Sequence, residues 1–96
     1  MTADFSTLYN HHEREVFAAV LEASAHHPDI AANGDLLCDV ACVALNRLPP
    51  RYIRHEVDFS FYLTANERNE IDAAIAEAVG YAFDFVRART ALRARK

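Results

Sequence analysis

Leu45-Asn46-Arg47-Leu48-Pro49-Pro50-Arg51-Tyr52 is the stretch on which the fold turns. Ahead of it, Leu36, Leu37, Val40, Ala41, Val43, Ala44 and Leu45 cover nearly the whole circumference of a helix. A helix apolar all round belongs at the centre of a core. Pro49-Pro50 stops that helix, because neither proline donates the next backbone hydrogen bond. The pattern predicts a helix from Asp35, the N-cap whose carboxylate accepts from the free N–H groups of the first turn, to about Leu48. Beyond the prolines the chain is held extended, and Arg51 and Tyr52 follow at a fixed distance.

Upstream, Tyr9, Val16, Phe17, Val20 and Leu21 recur at helical spacing and predict an amphipathic helix from about Leu8 to Ala25. His26-His27-Pro28-Asp29 ends it, since proline disfavours helix in the residue before it. Asn33-Gly34 marks a turn. Downstream, Val57, Phe59 and Phe61 alternate with Asp58 and Ser60, the period of an extended segment, from Tyr52 to Leu63. A lone strand leaves its backbone groups unpaired; it can pair across a dimer axis or lie over the helices. Thr64-Ala65-Asn66-Glu67 fits a capping box. Ile71, Ile75, Ala78, Val79, Ala82, Phe83 and Val86 then line a third helix running toward Leu92. The fold class is all-α: a compact bundle of three main helices with a short extended segment between the second and third. Residues 1–96 form one domain, with 1–7 a flexible N-terminus and 87–96 a basic end.

A chain of 96 residues supports one thin core that a second copy would reinforce. No apolar run reaches the roughly 20 residues of a membrane span, and Met1-Thr2-Ala3-Asp4-Phe5 lacks the basic start and apolar stretch of a signal peptide. The expected location is the cytoplasm, which suits reduced Cys38 and Cys42. These thiols lie one turn apart on an apolar helix, poor geometry for a disulfide, and are expected in the core as small hydrophobes. His11 and His12 are expected on the surface.

The net charge of −4 gives no general attraction to nucleic acid. Five of the ten basic residues, Arg87, Arg89, Arg93, Arg95 and Lys96, nevertheless fall in the last ten positions. There they complement the negative pole of the third helix; an anionic partner such as DNA is the alternative. No glycine-rich phosphate loop, Gly-x-Ser-x-Gly elbow or His-Glu-x-x-His is present, and no acid–base pair declares itself. The expectation is a binding protein with no catalytic residues, cofactor or metal.

The candidate binding residues are Asp39, Asn46, Arg47, Arg51 and Tyr52. Asp39 and Asn46 are seven apart on one helix face, Arg47 is one position round, and the prolines then present Arg51 and Tyr52. Arginine grips phosphate bidentately, stacks on planar bases and reads the O6/N7 edge of guanine. Tyrosine adds a stacking face, and aspartate accepts from guanine N1 and N2. The structural alternative pairs Asp39 with Arg47 or Arg51, uses Asn46 to cap the helix and puts Tyr52 in the core.

Asp39-Val40-Ala41-x-Val43-Ala44-Leu45-Asn46-Arg47-Leu48-Pro49-Pro50-Arg51-Tyr52 resembles the signature of the late competence development protein ComFB family. Tyr9-Asn10, Glu13 and Val16 are similar to that family's first helix, His27-Pro28-Asp29-Ile30 to the turn that follows, and Ile71 to Val86 is compatible with its later helix. The similarity spans most of residues 9–86. It implies a helical, dimeric, non-enzymatic bacterial protein. It also implies sensing of cyclic dinucleotides, cyclic di-GMP in particular and cyclic di-AMP as the alternative. A ligand with two phosphates and two purines suits Arg, Asp and Tyr groups, and its two-fold symmetry matches a homodimer offering the same patch twice. Two other roles are an interaction module of the competence type, acting through a downstream protein regulator without a small ligand, and a DNA-associated regulator. Many members carry cysteines between the Pro-Asp-Ile turn and the motif, suited to a metal; here Ala31 to Leu37 contains none.

Overall fold

The computed structural model describes residues 2–95; Met1 and Lys96, the extreme ends of the expected flexible N-terminus and basic end, lie outside the described residues. Five α-helices and one two-residue strand pair are found among them. In chain order these are β1 (Tyr9–Asn10), α1 (His12–Ala23), α2 (Pro28–Ala31), α3 (Gly34–Arg47), β2 (Tyr52–Ile53), α4 (Glu56–Tyr62) and α5 (Ala65–Ala94). The all-α class stands. Phe5–Thr7, inside the stretch expected to be flexible, forms a single 3-10 turn capped by Asp4, whose carboxylate accepts from Ser6 N at 3.0 Å.

Helices α1, α3 and α5 pack on one another, most extensively α3 on α5. Val16 and Val20 from α1, Val40, Ala41 and Ala44 from α3, and Ile75, Ala78, Val79, Ala82, Phe83 and Val86 from α5 make the buried core. The alanines leave room for helix backbones to approach, and Phe83 fills the volume between them. Its ring stacks on His27 at 4.1 Å between centroids, while His27 Nδ1 accepts from Arg87 Nη2 at 2.6 Å. Ile30, in the short α2, closes the same end of the core at 2% exposure.

Two helix starts bear on the sequence reading. Thr64 caps α5 as expected, Oγ1 accepting from Glu67 N at 3.1 Å and donating back to the Glu67 carboxylate at 3.2 Å. The cap of α3, however, is Asn33 and not Asp35. Asn33 Oδ1 accepts from Asp35 N at 3.0 Å and Leu36 N at 3.3 Å, and Gly34 is already helical. Asparagine and aspartate cap comparably well, so the earlier of two adequate caps wins when the residue between them can enter the helix.

The larger correction concerns Tyr52 to Leu63. Only Tyr52–Ile53 is extended, and it pairs within the chain: antiparallel to β1, Tyr9 opposite Ile53 and Asn10 opposite Tyr52. The rest is α4. The alternation that predicted a strand arises because Val57 and Phe61, one helical turn apart, are left 80% and 81% exposed on the outer face of α4. The cysteines and histidines also change places. Cys38 and Cys42 are exposed and free, on the groove between α1 and α3, whereas His11 and His12 are buried where α1 meets the strand pair.

Candidate functional site

The Pro49-Pro50 corner carries Arg51 and Tyr52 out of α3 into β2. Its anchor is Asn10, which is 9% exposed. Asn10 Oδ1 accepts from Arg51 N at 3.1 Å and from His12 N at 3.2 Å. His11 N in turn donates to Arg51 O at 2.8 Å. The backbone of Arg51 is thereby fixed on both sides, by a strand and by the first turn of α1, and its side chain is left for other work. The Arg51 guanidinium lies 4.7 Å from the centre of the Phe59 ring, and Phe59 packs its ring on His11 at 4.3 Å. Desolvation first, and then His11 beside it, hold the His12 imidazole below its ordinary value; Arg51 adds to this and Glu15 opposes it.

Between β2 and α4 this corner opens a cavity of about 450 Å³ lined by Arg51, Tyr52, Arg54, His55, Phe59 and Tyr62, with Asp58 and Glu67 on its wall. Tyr52 is 68% exposed and is not a core residue. Arg54 Nη2 lies 2.9 Å from His55 Nε2. The result is two guanidinium groups, an imidazole and three aromatic faces around one solvent-open space. Such a surface suits a planar anion, since guanidinium groups engage phosphate and stack on rings while aromatic faces take the base.

The five sequence-derived candidates are not gathered there. Arg51 and Tyr52 line the cavity. Arg47 turns to α5 instead: its Nε and Nη2 meet Glu77 Oε1 at 3.1 and 2.8 Å, and its guanidinium lies 3.9 Å from the Tyr81 ring centre. That pairing holds the Glu77 carboxyl below its ordinary range. Asn46 Nδ2 donates back to Cys42 O at 3.0 Å, which closes the last turn of α3. Asp39 is half-buried and partnered, as its apolar neighbours require, but the partner is Arg89 of α5 at 3.1 Å, neither Arg47 nor Arg51. The spacing of seven along α3 is a fact about one helix; which element faces each turn is set by α5.

Arg54, His55, Phe59 and Tyr62 were missed because Tyr52 to Leu63 was read as extended. The available signal was helical: His55, Phe59 and Tyr62 are four and three apart. The basic end of α5 is also partly committed. Arg87 holds Asp29 at 2.8 Å and Asp84 at 3.4 Å, and Arg89 holds Asp39. Among the described residues no three His, Cys, Asp or Glu side chains converge to hold a metal ion; the two thiols of α3 have no third donor beside them. Among the described residues no helix is long and apolar enough to cross a membrane.

The double-proline corner of this small helical fold thus sets an Arg-Tyr pair at the mouth of an aromatic cavity in which two arginines face Asp58 and Glu67. Residues 9–90 match the family model described as late competence development protein ComFB, and the chain belongs to that family. Comparison with curated proteins and with solved structures gave no match.

Proposed function

We propose that the chain is a non-enzymatic bacterial receptor for a cyclic dinucleotide, cyclic di-GMP ahead of cyclic di-AMP, acting in the cytoplasm as a homodimer. One observation carries this reading: Arg51, Tyr52 and Arg54 share a cavity with His55, Phe59 and Tyr62. The arginines take phosphate or the guanine O6/N7 edge, and Tyr52 and Tyr62 stack on purine faces. Arg47 is a second contact, available once it leaves Glu77. Asn46 and Asp39 act behind the site, fixing the end of α3 and its contact with α5.

Calorimetry with each nucleotide at high micromolar concentration is the direct test. Arg51→Ala is expected to weaken binding at least tenfold and Arg47→Ala less, while Asp39→Ala leaves affinity within a few-fold. Absence of heat for both nucleotides overturns the proposal, as does undiminished binding by Arg51→Ala.

A second reading has its own observation. Phe17, Leu21, Leu37 and Leu45 border an apolar groove of about 590 Å³ between α1 and α3, beside Cys38 and Cys42. An interaction module of the competence type would engage a downstream regulator there. Capture of such a regulator without nucleotide, lost in Leu21→Asp, would favour it.

A further inference from the structure

The cavity between β2 and α4 holds charges of both signs that do not close on one another. Arg51, Arg54, Asp58 and Glu67 all line it, yet among the described residues no ion pair joins these arginines to these carboxylates. Elsewhere in the chain such groups do meet, as Arg47 meets Glu77 at 2.8 Å. The reasons are local. Arg54 precedes His55, the N-cap of α4, so its spacing of four from Asp58 is not one turn of a helix. Arg51 lies over the Phe59 ring, one position and about 100° round α4 from Asp58. Glu67 is committed to the start of α5, where its carboxylate accepts from Thr64 Oγ1 at 3.2 Å. Asp58 is therefore the carboxylate of this cavity that no described side chain engages.

A ligand that satisfies both signs must bring an anion for the arginines and a pair of N–H donors for the carboxylate. A guanine nucleotide brings both. Its phosphate suits the guanidinium groups, and its N1–H and N2–H donors lie side by side, matched to the two oxygens of one carboxylate as charge-assisted hydrogen bonds. Adenine presents an N1 lone pair and a C–H at the same edge. The carboxylate then meets an acceptor and stays unpaired, which is how a hydrogen-bonding site rejects an analogue.

We propose that Asp58 reads the guanine N1 and N2 edge and sets the preference of the cavity for cyclic di-GMP over cyclic di-AMP. Asp58 thereby takes the base-reading role expected of Asp39, which Arg89 engages instead; this rests on the cavity being the nucleotide site. Two other roles are open to a carboxylate here, and they differ in sign. As an acid in the first turn of α4 it complements the helix dipole, and its loss would weaken every nucleotide alike. As a bare negative charge it repels phosphate, and its loss would tighten every nucleotide alike.

The test is calorimetry of the full chain with cyclic di-GMP, cyclic di-AMP and cyclic di-IMP, whose base lacks the N2 amine. Wild type is expected to prefer cyclic di-GMP by about tenfold or more over both, from hydrogen bonds to a charged group. In Asp58→Asn and Asp58→Ala the preference is expected to shrink to within about threefold, cyclic di-GMP binding more weakly while cyclic di-AMP holds or tightens. Because a ratio is read, any destabilisation common to all three ligands cancels, and the near-isosteric Asp58→Asn keeps the measurement informative if Asp58→Ala frays α4. Parallel weakening of all three, parallel tightening of all three, or a preference removed by Glu67→Gln and kept in Asp58→Asn each overturn the proposal. Binding of all three by wild type without preference overturns the role of Asp58 alone, whereas no heat with any of them overturns the receptor reading and this role with it.

Discussion

At the scale of single residues, Asn10 does most to hold the site. Its one oxygen accepts from two backbone donors on different segments, Arg51 N and His12 N, in a place almost closed to water. Removing it leaves both donors unpaired, and each buried orphan costs about 1–3 kcal/mol. Asn10→Ala is therefore expected to lower the urea midpoint and to weaken nucleotide binding together. Asn10→Asp, which keeps the acceptor, should retain more of both. His12 beside it sets a pH dependence. Its folded-state value lies below the ordinary 6.5, mainly through burial, so the unfolded chain binds the proton more readily. The stability it contributes is complete above that value and is lost as pH falls through it toward the lower folded value. Melting temperature should drop between pH 7 and 5.5, and the drop should flatten in His12→Phe. A profile unchanged by that variant would remove His12 from the account.

At the scale of elements, local chemistry and tertiary demand can be told apart. The start of α5 is local: Thr64 Oγ1 accepts from the free Glu67 N and donates to the Glu67 carboxylate, and Thr64→Ala is expected to cost about 1 kcal/mol in chemical denaturation. The start of α3 needed one more fact, that Gly34 enters the helix, which lets Asn33 cap ahead of Asp35. The segment that became α4 shows the opposite limit. Its alternating Val57, Phe59 and Phe61 satisfy a strand in period, yet among the described residues no partner strand is available beyond Tyr9–Asn10. Backbone groups without a partner must be satisfied somewhere, and a helix satisfies them internally, even with two large apolar side chains facing outward. Half of the cavity, Arg54 to Tyr62, went unseen for that reason, while Arg51 and Tyr52, fixed by the prolines, were legible.

At the scale of the whole molecule, the core is thin and centred on one helix. The 30-residue α5 buries only its middle, Ile75 to Val86, and its ends project, which stretches the molecule to 52 Å along its longest axis. Phe83 is fully buried at the meeting point of α5 and the His27 turn. Phe83→Ala removes a ring that the surrounding alanines cannot replace, at a cost of about 3–5 kcal/mol. In a domain of this size that is a large share of total stability, and the variant is expected to lose cooperative melting near room temperature. A shift of only a few degrees would show that α5 is held chiefly elsewhere.

The Leu45–Tyr52 stretch determined its own helix stop and the departure of Arg51 and Tyr52 from α3, because proline geometry acts within a few residues. Periodicity likewise determined the helical class and the buried face of α5, whereas of the expected α1 stripe only Val16 and Val20 are buried and Phe17 and Leu21 are exposed; the motif itself carried the family. The partners of charged side chains were decided only in three dimensions. Arg47 goes to Glu77 and Asp39 to Arg89, each across 30 residues or more of chain, and no local rule distinguishes those carboxylates and guanidiniums from nearer ones. The burial of His11 and His12 and the exposure of Cys38 and Cys42 were decided there too. Hydrophobicity ranks side chains by type, whereas burial depends on which face of a helix its neighbours cover.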